Sequence, residues 1–340
     1  MKTFASLASG IMLTALMTLA GAAQAATFVY VSNAEDGDIG TYTLLPDGSL
    51  VPGPRVAAGK PVMPMSVSPD RRFLYAAVRS KPFTVITYSI DRKTGELHKR
   101  SGATLAESLP YIAVDKTGSF LLGASYGGHL VSVNAIGKDG KVSDPRQVIP
   151  TARNAHSIIT DKTNRFVFVP HLGTDQIFQF RFDAKTGRLT ATVTTLSLDA
   201  KTGLLTEVSS ASALPADTKL VPGGPRPSPG RNVDNDIWAS DLHLTPDGKF
   251  LYAAERTGSS LGAFSVDAAT GKLTYLSSTS TENQPRGFAI DPKGRTMVVS
   301  GEKSETISVY AIDPASGALS LRQKYPTGKG SNWVEIVSFE

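Results

Sequence analysis

Along this chain apolar residues recur in short runs interleaved with polar ones, and Gly, Pro, Asp and Asn gather between the runs. A two-residue period over so few positions predicts half-buried strands, and the punctuation predicts tight turns. The segment MSVSPDRRFLYAAV, beginning at Met65, returns as IAVDKTGSFLLGA, IITDKTNRFVFVP, LHLTPDGKFLYAA and FAIDPKGRTMVVS. Each copy reads as strand, polar turn, strand, the pattern of a hairpin. A third strand follows each time (TVITYSI, LVSVNAI, IFQFRF, LGAFSV, ISVYAI). Asp91, Asp183, Asp267 and Asp313 then open DRKTGEL, DAKTGRL, DAATGKL and DPASGAL, turns that lead into a fourth strand. The repeating unit is therefore a four-stranded antiparallel sheet.

The equivalent positions Phe73, Phe120, Phe166, Phe250 and Thr296 lie 47, 46, 84 and 46 residues apart. Four strands in a period of ~40 to 50 residues is the signature of propeller blades. One period before Phe73 stands Phe28 in TFVYVSN, a second strand with no first strand ahead of it. SNWVEIVSFE at 331–340 follows QPRGFAID by about one period, so it supplies that missing inner strand and closes the ring. Closure removes the sheet edges that an open array would expose. The 84-residue interval fits neither one blade nor two. A second DAKTG begins at Asp199, only 16 residues after Asp183, which places the loss of one blade's two inner strands in this stretch. A loop rich in Pro, Gly and Asp from about Asp217 to Asp236 pads the later part of the interval, and TATVTTLSL becomes an outer strand of the fourth blade. The expected fold is an all-β propeller of six complete four-stranded blades in one domain over residues 26–340. Seven blades, one of them degenerate, is the alternative.

Composition sets the class. With 340 residues, 41% hydrophobic and 19% charged, the chain can bury a large core. The net charge of +5 comes from Lys and Arg scattered singly through turns, without the clustered, aromatic-interleaved groove that nucleic acid requires. Lys2, the small and apolar stretch 7–20 and Ala23-Gln24-Ala25 read as a signal peptide over residues 1–25, which predicts a periplasmic or secreted protein. No later stretch approaches ~18 uninterrupted apolar residues, so no membrane span is expected. There is no cysteine, hence no disulfide and no thiol nucleophile. The serines lack a G-x-S-x-G elbow, the five histidines lack metal-ligand spacing, and no Gly-rich phosphate loop enters a helix. No cofactor and no metal are implied, and the closed ring is expected to be a monomer.

Five strings carry a resemblance: NAHS at 154–157, VPHLGTDQI at 169–177, WASDLHLTPDGKFLYAAERT at 238–257, QPRGFAID at 284–291 and GSNWVEIV at 330–337. Together, and in this order, they resemble the propeller-type 6-phosphogluconolactonase family over nearly the whole chain after residue 25. The resemblance implies a seven-bladed scaffold that hydrolyses sugar lactones, with a small lactone or sugar acid as its partner. It places in the active cleft a His from the xHS string, an Arg from a Gly-Pro-Arg-His strand, a Glu that follows Asn, and the Arg of QPRGF. Only the first and last carry over, as His156 and Arg286. The other two fall in the shortened interval, where Gly224-Pro225-Arg226 is followed by Pro227 instead of His.

Lactone opening needs a base for water and a cation or N–H donor for the oxyanion, and an acidic substrate needs an anion binder. His156 and Arg286 suit these roles. His243 lies two positions from Asp241 on one strand, so the acid can orient its ring. Glu255, beside Arg256 after a second strand, is a candidate replacement carboxylate. His98 and His171 read as surface loop residues and His129 as a turn residue. Two functions stay open: a lactonase of reduced activity acting on a sugar or sugar-acid lactone, and a non-catalytic binding propeller that kept the scaffold and lost half its cleft.

Overall fold

The computed structural model describes residues 26–192, 211–221 and 232–339. The described residues form 24 strands in six four-stranded antiparallel sheets and no helix. Blade 1 takes Ser331–Phe339 as its inner strand, followed outward by Ala26–Asn33, Asp38–Leu44 and Leu50–Ala57. Phe28 stands opposite Val337 and Val31 opposite Val334, so the C-terminal strand closes the ring as its sequence position requires. The inner strands of blades 2 to 6 are Val62–Val67, Tyr111–Val114, Ile159–Thr160, Ala239–Leu244 and Pro285–Ile290.

The repeated turn residues are explained by their hydrogen bonds. Asp115 accepts the N–H groups of Thr117, Ser119 and Phe120, Asp161 those of Thr163, Arg165 and Phe166, and Asp291 those of Lys293, Arg295 and Thr296. In the Pro-Asp copies, Ser68 and Thr245 hydroxyls accept from Phe73 and Phe250 N–H while donating to Asp70 and Asp247. One short polar side chain thus satisfies the donors a tight hairpin turn leaves open.

The core lies between blades, in five clusters that join blades 1 and 2, 2 and 3, 3 and 4, 5 and 6, and 6 and 1. At four of the joints the outer-turn glycine of one blade seats on an aromatic ring of the blade before it. Gly95, Gly140, Gly187 and Gly317 adopt positive φ, and a Cβ there would lie 2.3–2.6 Å from Phe28, Phe73, Phe120 and Phe250 respectively. Tyr30 and Tyr252 hydroxyls donate to the carbonyls of Gly95 and Gly317 across the same joints.

Between blades 4 and 5 the pattern stops. None of the five clusters joins them, and no described residue lies within 4 Å of a Cβ placed on Gly248 or Gly271 of blade 5. Ile159, Leu242 and Leu244 on the two inner strands are exposed. Residues 211–221 lie on the blade 5 side instead, where the Ala213 carbonyl closes on Gly262 and Val221 bonds to the segment around Asn235 and Ile237. The seam falls where the repeat spacing breaks. Arg188–Thr192 is the outer strand of blade 4, as expected for the start of TATVTTLSL. The rest of that string, the second DAKTG at Asp199, Gly224-Pro225-Arg226 and the signal peptide 1–25 lie outside the described residues. His171 corrects one expectation. It is the last residue of the strand Phe166–His171 and 2% exposed, because the loop begins one residue later, and its ring packs 4.4 Å from that of Phe178.

Candidate functional site

Every inner strand runs in the same sense, so the residues that precede or begin the inner strands and those that end the second strands share one mouth of the channel. His156 lies just ahead of the short inner strand of blade 4. Its backbone N–H donates to the Pro170 carbonyl, and its ring meets Tyr126 edge-on at 5.8 Å. The loop is fixed by its neighbours. Asn154, at positive φ, gives its N–H to His129 Nδ1 and its side-chain amide to the Tyr126 carbonyl. Arg286 is the second residue of the blade 6 inner strand, inside a bulge between Pro285 and Phe288. The bulge re-aims its side chain out of the regular ladder.

Around these two the structure gathers Arg256 and Trp238 from the string at 238–257, and Glu302 and Arg79, which no motif singled out. Arg286 Nη1 lies 3.2 Å from Glu302 Oε1, and the other oxygen of Glu302 pairs with Arg256 Nη2. The Arg256 guanidinium stacks on the Trp238 ring, 3.5 Å from its centroid. Arg79 donates from Nε to Ser108 Oγ at 3.0 Å and lies 3.4 Å from Met63 Sδ. Burial, and then the positive charges of Arg286, Arg79 and Arg256, push the His156 pKa down to about 4. Arg79 is likewise lowered by burial and by Arg286, against the opposing charge of Glu302. The charges of all three guanidinium groups act on this one imidazole.

The repeat contained a signal for these residues. Arg79, Tyr126, Arg256 and Glu302 each stand six positions after the hairpin residues Phe73, Phe120, Phe250 and Thr296. They are one structural position, the first residue past the second strand. Scanning that position around the ring identifies the mouth without any motif.

Glu255 plays a different part. Its carboxylate accepts the backbone N–H groups of Trp238 and Thr257 at 2.7 and 3.2 Å, and that of Gly258. Trp238 in turn accepts the Arg256 N–H at its carbonyl. Glu255 thus holds the loop that presents Trp238 and Arg256, and Glu302 is the carboxylate between the arginines.

His243 belongs to a second cluster, farther along the channel toward the Pro-Asp-Gly hairpins. Its Nε2 lies 3.1 Å from Asp241 Oδ2, and its ring packs edge-on against Phe288 at 4.8 Å. Asp241 orients the ring as the two-residue spacing predicts. Burial alone lowers the His243 pKa, but the Asp241 and Glu335 carboxylates outweigh it and the net direction is upward. Glu335 accepts from Trp333 Nε1 at 3.0 Å, and burial raises its pKa to about 7. These groups, with Tyr111, line a cavity of about 200 Å³. The structure does not join His243 to His156 and Arg286. Among the described residues, no group of three His, Cys, Asp or Glu side chains is placed to hold a metal ion, and no helix is long and apolar enough to cross a membrane.

Comparison with known proteins identifies the family. The model of the family described as lactonase, 7-bladed beta-propeller, matches residues 28–203 and 187–336. A 6-phosphogluconolactonase of Serratia proteamaculans is 36% identical over 91% of this chain and 98% of its own length. The protein of that name from Pectobacterium carotovorum is 34% identical over 92% and 99%. Among solved structures, the periplasmic gluconolactonase PpgL of Pseudomonas aeruginosa superposes with a TM-score of 0.78 at 22% identity, covering 93% of this chain and 100% of its own. The family model spans both sides of the seam, and the described residues carry six blades where the family description has seven; this chain belongs to the 7-bladed β-propeller lactonase family.

Proposed function

We propose that this lactonase opens a sugar or sugar-acid lactone at the channel mouth, with His156 as general base and Arg286 as electrophile. The carrying observation is the Glu302 carboxylate held between Arg286 and Arg256, with the charges of both arginines and of Arg79 acting on His156. Water attacks the lactone carbonyl as His156 takes one of its protons. The guanidinium of Arg286, steadied by Glu302, stabilises the oxyanion. The ring C–O bond then breaks, and the imidazolium returns its proton to the departing alkoxide. Arg256 is locked between Trp238 and Glu302 and fixes the carboxylate that aims Arg286. Glu255 acts as a positioning residue through its hold on that loop. His243, with Asp241, lines the channel beyond the mouth and takes no step in this scheme. The cluster supplies cationic groups and a carboxylate from positions outside the shortened interval, so the reading favours a working enzyme over a binding-only propeller. The sugar-lactone substrate rests on the names of the relatives, and action in the periplasm on the leader-like residues 1–25 and on the periplasmic neighbour.

The test is direct observation of ring opening on purified protein, with gluconolactone and its 6-phosphate side by side. The expectation is turnover above the spontaneous rate, lost by about 100-fold in His156→Gln and Arg286→Gln. No acceleration of either lactone by a folded protein would overturn the proposal.

A further inference from the structure

Of the three guanidinium groups at the mouth, two share one carboxylate. Glu302 gives one oxygen to Arg286 and the other to Arg256. The hydrogen bonds described for Arg79 go only to neutral atoms, Ser108 Oγ and Met63 Sδ. No carboxylate of the described residues forms an ion pair with it. It stands on the first position past the second strand of blade 2, where its equivalents Arg256 and Glu302 also face the mouth. Its charge acts on His156, and the charge of Arg286 acts on it. A half-buried cation under the charge of another is unfavourable by itself, and an anion supplies the compensation. Arginine offers two parallel donors to such a group.

We propose that Arg79 is the specificity-determining residue that selects lactones bearing an oxyanion, a phosphate ester or a carboxylate, over neutral ones. The proposal rests on the lactonase reading of the mouth. Arg79 grips a group of the substrate remote from the reacting carbonyl, so its contribution falls on binding. Its bonds to Ser108 and Met63 pre-set the guanidinium, which keeps the ordering cost of the contact low.

The experiment compares wild type, Arg79→Gln and Arg79→Lys on gluconolactone and 6-phosphogluconolactone, with thermal melting to establish folding. For Arg79→Gln the phosphorylated lactone should lose about tenfold or more in kcat/KM, mainly through KM, while the neutral lactone stays within about twofold. Arg79→Lys should recover part of the loss. Competition by inorganic phosphate and by glucarate distinguishes phosphate from carboxylate as the group recognised. Equal losses on both lactones, or none on either, would overturn the assignment. Calorimetric binding of 6-phosphogluconate to wild type and Arg79→Gln needs no turnover. A tenfold difference there supports Arg79 even if hydrolysis is absent, and equal affinities refute it even if hydrolysis is rapid.

Discussion

His156 should titrate near pH 4 in the free protein, and its displacement should track the arginines around it. The change from 6.5 to about 4 corresponds to about 3 kcal/mol favouring the neutral ring. Burial is the largest cause and the three guanidinium charges add to it. One neighbouring charge moves a pKa by about 1 to 3, so Arg286→Gln should raise that of His156 by about 1 and leave the part due to burial. The folded pKa is depressed, so the stability is present above pH 6.5 and is lost as pH falls through 4. The sign for rate is parallel, because the neutral ring is the base: the acid limb of kcat/KM, which reports the free enzyme, should lie near 4. An anionic substrate offsets the arginines, so the limb of kcat, which reports the complex, should lie higher. The assay is imidazole NMR of the free protein, with the His156 signal assigned by its loss in His156→Gln, together with the two pH–rate profiles. A free-enzyme titration near 6.5 that Arg286→Gln leaves in place would refute the reasoning.

Two further outcomes test the ring and the channel. Gly187 and Gly271 occupy the same outer turn with φ of 76° and 73°, but only Gly187 sits on a ring, Phe120, 2.3 Å from where a Cβ would be. Both Ala substitutions should cost about 1–2 kcal/mol for the left-handed backbone, and Gly187→Ala about 1–3 more for the clash; equal falls in melting temperature would deny the seam. Glu335 has its pKa raised to about 7 by burial first of all, so its stability contribution is full below 4.5 and is lost as pH rises through 7. Glu335→Gln should therefore stabilise the protein by about 1–2 kcal/mol at pH 8.5 and leave it unchanged at pH 4. A gain of equal size at both values in chemical denaturation would refute a titrating origin.

What the sequence by itself determined is local or periodic. Strands, hairpin turns and blades were legible because one Asp, Ser or Thr per turn must satisfy the open backbone donors, and such needs repeat with the fold. Closure by residues 331–340 was legible because a second strand at Phe28 lacked a first. The seam was legible from the early DAKTG turn at Asp199, and His156 and Arg286 from strings resembling a known family. The company they keep was not legible. Glu302 reads as an ordinary turn acid until the ring sets it between Arg256 and Arg286, which precede it by 46 and 16 residues. Glu255 reads as a free carboxylate until folding brings the N–H groups of Trp238, Thr257 and Gly258 onto it. His243 shares a sheet layer with Glu335, not with His156, because side-chain depth in the channel depends on register within each blade. Charge partners and depth are set by which blades become neighbours, and only the closed ring decides that.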